Sequence, residues 1–166
     1  MITLKNLLVA TDFGDASSTA LAYGRELARR FDATLHVLHV ADDVAASAMM
    51  ASELPYDVRG IQADLDAADR QQLEALVTEE DRRELRTKIL QITSAETAQT
   101  IMAYAKDARV DLIIMGTHGR GAVAHFLMGS VAERVVRNAS CPVLTVRHPE
   151  HEFVVADALQ TVAHTP

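Results

Sequence analysis

The sequence predicts an α/β fold, a five-stranded, mainly parallel sheet with helices on both faces. Two observations carry this. Short apolar runs alternate with longer segments of helical period along most of the chain. The apolar residues are aliphatic: there is no Trp, and aromatics are only 4% of 166 residues, so Val, Leu, Ile, Ala and Met must fill the core. That length suits one domain with one sizeable core.

Leu7–Ala10 is a short apolar run that ends at Thr11-Asp12 and reads as a buried parallel strand. Ala20, Tyr23, Gly24, Leu27, Ala28 and Phe31 then recur at three- and four-residue steps, one face of a helix, with Asp15 or Ser17 as its cap. Thr34–Val40 is the second strand. Residues 41–60 read as a mobile loop with one helical turn, broken by Pro55 and Gly60; Met49-Met50 within it reads as a lid or contact surface. A helical period returns from Ile61 to Val77, and Thr78–Arg83 reads as a charged turn. Leu85–Ile92 is a third, less buried strand. Thr93 and Glu96 have capping-box spacing ahead of the helix marked by Ala98, Ile101, Met102 and Ala105. Leu112–Met115 is a fourth buried strand ending in Gly116. A helix follows over Ser130–Asn138, and Pro142–Val146 is the last strand. Parallel sheets of this kind bind ligands at the carboxyl ends of their strands, where the strand order reverses.

The composition narrows function. Asp and Glu number 23 against 16 Lys and Arg, so the net charge of −7 repels phosphate backbones and argues against general nucleic-acid binding. A single cysteine, Cys141, allows no intrachain disulfide and reads as a small apolar residue. No apolar stretch is long enough to span a bilayer, and a reducing cytoplasm is the expected home. His36 and His39 stand three apart on a strand, face opposite sides and make a poor metal pair.

The informative segment is Gly116-Thr117-His118-Gly119-Arg120-Gly121, followed by Gly129-Ser130. Glycine permits positive φ and lets a ligand approach backbone N–H groups. The helix that starts near Ser130 favours an anion at its N-terminus. Strand, glycine loop and helix N-terminus together suggest a phosphate cradle, although glycines can serve turns alone and Ser130 with Glu133 has capping-box spacing. The loop lacks the Lys of a P-loop and follows the fourth strand, unlike a dinucleotide fold.

The spacing Gly116-x2-Gly119-x9-Gly129-Ser130, with the flanks Asp111–Gly121, Gly129–Val135 and Cys141–Val146, resembles the ATP-binding motif of the universal stress protein family. The resemblance covers residues 3–147. It implies the adenine nucleotide alpha-hydrolase-like fold with strand order 3-2-1-4-5, a domain over residues 1–147 and a C-terminal tail over 148–166. It further implies that Asp12 lies near the ribose and phosphates or a phosphate-bound Mg ion, and that the Val40 backbone meets adenine. Ala10 and Thr11 would line the same cleft. Gly116, Gly119, Gly129 and Ser130 would hold ribose and phosphates, with Met115, His118, Arg120 and Val131 around them. The chain departs from the family pattern at Asp12-Phe13-Gly14, where a Ser is frequent, and at Thr93-Ser94-Ala95, where Gly-x-Pro is frequent. A homodimer through the last strand is implied as well.

Three functions stay open at this stage. The leading one is an ATP-binding regulatory protein of stress adaptation acting on an unknown protein partner. The second is a slow ATP hydrolase, for which His118 is the candidate base. The third is a nucleotide-independent interaction protein.

Overall fold

The computed structural model describes residues 1–50, 57–118 and 128–148. Its strands are β1 (Asn6–Thr11), β2 (Thr34–Ala41), β3 (Arg86–Thr93), β4 (Leu112–Gly116) and β5 (Val143–Val146). Its helices are α1 (Asp15–Phe31), α2 (Val44–Met50), α3 (Val58–Leu76), α4 (Glu79–Glu84), α5 (Thr97–Asp107) and α6 (Ser130–Asn138). The five strands form one sheet in the order β3-β2-β1-β4-β5, and every pairing is parallel. The expected fold class and strand order hold.

The two-residue period of a strand sorts the apolar residues onto two faces. Leu7 and Val9 of β1 join Ala20, Leu21 and Ala28 of α1 and Leu73 of α3 in one core cluster. Leu8 and Ala10, one residue out of phase, join Ala98 and Ile101 of α5 and Val135 of α6 in the other. Gly24 explains how closely α1 sits on the sheet: a Cβ there would lie 2.4 Å from Val9 Cγ2. β1 and β4 lie centrally, β3 and β5 at the edges. No described helix is long and apolar enough to cross a membrane.

Several local expectations need correction. Residues 44–50 form a helix rather than a loop, tied to α3 where Val44 N–H donates to Gln62 Oε1 at 2.9 Å. It buries no side chain, and Met49 and Met50 are exposed, so its pattern carries no core signal. Residues 51–56, including Pro55, lie outside the described residues. Gly60 does not break a helix; it sits in the first turn of α3, where its N–H donates to the N-cap Asp57 at 2.8 Å. The charged stretch at 78–83 is the short helix α4, set by a complete capping box between Thr78 and Asp81. Asp81 also takes a bidentate contact from Arg25 of α1.

The Thr93–Glu96 box does not form: Glu96 is the N-cap of α5 without a side-chain bond. Ser94 accepts instead from Glu96 N–H at 3.1 Å and from the Thr100 hydroxyl at 2.9 Å. Neither Asp15 nor Ser17 caps α1, whose N-cap is Gly14.

Candidate functional site

β1 and β4 are neighbours in space, but their following helices α1 and α6 cover opposite faces of the sheet. A crevice must open where the two connections part. A cleft of 530 Å³ lies there, bounded by the ends of β1, β2 and β4 and by the first turns of α5 and α6. Its size falls within the range of about 300–1,000 Å³ common to small-molecule sites.

Ten of the expected site residues line this cleft. Ala10, Thr11 and Asp12 come from the end of β1, and Val40 from β2. Met115 and Gly116 end β4, with His118 just beyond. Gly129, Ser130 and Val131 open α6. Gly119 and Arg120, with Gly121, lie outside the described residues.

The sequence reading missed Leu38, Thr97, Ile101, Thr117 and Met128, which also line it, and assigned Ser17 no place there. Leu38 was legible as the same-face neighbour of Val40, two residues away. Thr97 and Ile101 share one helix face at i, i+4. Nothing local marks Met128.

The turn after β1 is closed by its own polar groups. Phe13 N–H donates to Thr11 Oγ1 at 3.0 Å, and Thr11 Oγ1 lies 3.1 Å from Ser17 Oγ. The Ser17 hydroxyl in turn donates to the Gly14 carbonyl at 2.9 Å. Since Ser17 gives its proton to Gly14, the Thr11 hydroxyl must donate to Ser17. The chain of donors thus runs one way around the turn. Asp12 Oδ1 accepts from Gly14 N–H at 3.1 Å, an Asx turn that aims the carboxylate back over the helix start. Phe13 has φ 64°, a left-handed conformation that this set of bonds must hold.

The second turn is built differently. Thr117 is buried, and its N–H donates to Val146 O at 2.8 Å, joining the ends of β4 and β5. Its carbonyl accepts from Gly129 N–H at 2.7 Å and so closes the base of the glycine loop. Its hydroxyl lies 3.0 Å from His118 Nδ1. An α-helix leaves its first four amides without an intrahelical acceptor. In α6 the Gly129 amide goes to Thr117, and Ser130, Val131 and Ala132 of the first turn line the cleft.

Two expectations about this turn are corrected. Ser130 is the first helical residue and not the cap; the N-cap is Gly129, and no Ser130–Glu133 box forms. None of the described glycines has positive φ. Gly116 is needed for packing instead: a Cβ would lie 2.8 Å from Ala16 Cβ and 3.1 Å from Ser17 N. At Gly129 a Cβ would approach Thr117 O at 3.3 Å.

The walls are chemically divided. Leu38, Val40, Ile101, Met115, Met128 and Val131 make one side apolar. Asp12 and Glu133 are the charged residues among the described lining residues, which include no Lys or Arg. Backbone amides and the α6 dipole are therefore what these residues offer an anion. Cys141 is not among the lining residues of the cleft; burial pushes its thiol up, nearby Asp111 adds to this and a backbone bond at Ile113 opposes it, which favours the protonated thiol.

Comparison with known proteins agrees with this architecture. The universal stress protein family profile matches residues 3–147. A universal stress protein of Methanocaldococcus jannaschii is 30% identical over 148 residues, spanning 89% of this chain and 85% of that protein. The solved universal stress protein UspA from Lactobacillus plantarum superposes with a TM-score of 0.65 at 27% identity, covering 89% of this chain and 100% of that one. A universal stress protein from Archaeoglobus fulgidus, solved in complex with dAMP, shares the fold at a TM-score of 0.58 and 20% identity. It covers 88% of this chain and 99% of that one. Sheet order, the site at the β1–β4 divide and a profile match over most of the chain converge: this chain belongs to the universal stress protein family.

Proposed function

We propose that the cleft binds ATP and that the protein acts as an ATP-dependent regulatory module in stress adaptation. The supporting observation is the division of one cleft into an apolar wall and an open helix N-terminus. An adenine ring suits the wall around Val40 and Ile101, and phosphates suit the amides of Ser130, Val131 and Ala132. Asp12, at the mouth of the same cleft, is suited to a phosphate-bound Mg ion, which would neutralise charge that no described Lys or Arg meets. That a protein of this fold holds dAMP speaks for the fold and agrees with an adenine nucleotide.

Calorimetric titration with Mg-ATP, ADP, AMP and cyclic AMP tests this, with Gly129→Asp as control. Gly129 has φ −73° and ψ 158°, a conformation open to Asp, and Asp is a favoured N-cap. Its carboxylate would take the amides meant for phosphate while leaving the fold intact. ATP binding that the control loses supports the reading. Equal binding by both proteins removes phosphate from the α6 N-terminus, and no binding of any adenine nucleotide moves this chain to a nucleotide-independent role.

We also propose a homodimer through β5. That strand is an edge of the sheet, and Val143 and Leu144 are only half-buried. Pairing with its symmetry mate would cover both. A monomer by light scattering at micromolar concentration would contradict it.

A further inference from the structure

We propose that His39 is the positioning residue of the nucleotide cleft: it clamps the Thr11–Gly14 turn that presents Asp12 and anchors that turn to α3 through Asp69. His39 stands beside Thr11 in the β1–β2 register and is 9% exposed. Its Nδ1 lies 2.9 Å from the Thr11 carbonyl. Its Nε2 lies 3.3 Å from Asp69 Oδ2 on α3. Its ring packs against Phe13 with centroids 4.3 Å apart.

These contacts act on the part of the turn that needs support. A phenylalanine at φ 64° is costly by itself and persists only where its surroundings determine it. The His39 ring supplies a packing partner for that side chain and a donor for the carbonyl two residues earlier. The turn that His39 holds also carries the Thr11 hydroxyl chain and the Asp12–Gly14 bond. Loss of the ring therefore frees the segment that orients Asp12.

One ring nitrogen faces the Thr11 carbonyl and the other the Asp69 carboxylate, so the ring is held between two fixed groups. Asp69 thus orients the ring, as a carboxylate orients a ligating imidazole. Because Asp69 lies in the middle of α3, the turn is coupled to that helix. Gln62 of α3 bonds in turn to Val44 N–H and to the Asp42 carbonyl, just beyond the strand that carries Val40.

The proposal rests on nucleotide binding at this cleft, and the experiment separates the two. Mg-ATP affinity and amide hydrogen exchange are measured on the full chain for wild type, His39→Phe, Asp69→Ala and Asp69→Asn, with thermal melting to show each is folded. His39→Phe keeps a ring against Phe13 and loses both hydrogen bonds. It should weaken ATP binding on the order of tenfold, the scale of one lost supporting hydrogen bond. Exchange at the Phe13 and Gly14 amides should quicken without nucleotide. Asp69→Ala should do the same in part. Asp69→Asn should recover most of it, since an amide can donate to a ring nitrogen that lacks a proton.

In wild type, ATP should slow exchange across residues 58–76, and in His39→Phe that response should shrink. Unchanged affinity and unchanged Phe13 and Gly14 exchange in folded His39→Phe overturn the clamp. Equal loss in Asp69→Ala and Asp69→Asn overturns the part given to Asp69. Wild-type protein that binds no adenine nucleotide overturns the reading of the cleft, and the amide rates then decide the clamp alone.

Discussion

Helices α1 and α6 start alike and end up in opposite roles. Each follows the carboxyl end of a central strand, and each has a glycine N-cap in extended conformation with no side-chain cap bond. The first turn of α1 is roofed by backbone: Gly116 lies so close to Ala16 and Ser17 that no Cβ fits between them. Ser17 is 3% exposed and its hydroxyl is spent inside the turn. Among the described residues, the first turn of α6 has no such roof. Ser130 is exposed, and a closing bond runs from Gly129 to Thr117. One helix start is used to build the sheet's centre, and the other lines the cleft. The same glycine signal in sequence therefore carries two meanings, packing at Gly116 and a helix cap beside the cleft at Gly129.

The largest separation between the two should appear on adding one methyl group. Gly116→Ala forces a contact with Ala16 that neither backbone can yield, and overpacking of this kind costs about 1–3 kcal/mol. Gly129→Ala meets Thr117 O at 3.3 Å and His118 Cα at 3.6 Å and exchanges one modest cap for a poor one, for less than about 1 kcal/mol. Urea midpoints of the two variants check this. If Gly129→Ala proves the more damaging, the open start of α6 is structural and the division fails.

Hydroxyls sharpen the contrast on a smaller scale. Thr11→Val removes the acceptor of the Phe13 amide bond and the donor to Ser17 Oγ in a buried place, at about 1–2 kcal/mol. Ser130→Ala removes an exposed hydroxyl with no bond to the helix and should change stability by less than about 0.5 kcal/mol. The same variant should weaken ATP binding measurably. Denaturant unfolding and calorimetry on both variants give the comparison, and a reversed order would place the structural hydroxyl in α6.

How much of this was legible follows from where the signals lie. Leu7–Ala10 and Leu112–Met115 are buried on both faces, so their continuous apolar runs announce central parallel strands. The helix at 44–50 buries nothing, so no period could reveal it. Thr78 and Asp81 do spell a capping box, yet the run of charges that follows hides a helix that gains its place from Arg25, more than fifty residues away in sequence. At the site, strand ends and the glycine spacing brought out residues from three strands and one helix. Thr97, Ile101 and Met128 reach the cleft only through tertiary placement. The clamp at His39 was invisible for the same reason: its two partners stand 28 residues before it and 30 after it.

The smallest effect concerns acid, and it asks whether the pH response of the fold belongs to these turns at all. His36 lies on the other face of β2, 2% exposed, with Nδ1 2.6 Å from the Tyr104 hydroxyl. Burial first and the nearby Lys88 charge second hold its pKa below the ordinary 6.5. Burial likewise keeps the Tyr104 phenol protonated, so the pair stays neutral. An imidazole with a depressed folded pKa takes its proton more readily in the unfolded chain. Its contribution is therefore complete above pH 6.5 and drains away as pH falls from there towards the folded value. Wild-type urea midpoints should decline between pH 7.5 and 5.5, and His36→Gln should flatten that decline while lowering stability at neutral pH. An equal decline in both proteins would take the acid response away from the His36–Tyr104 pair, and the core face of β2 would no longer account for it.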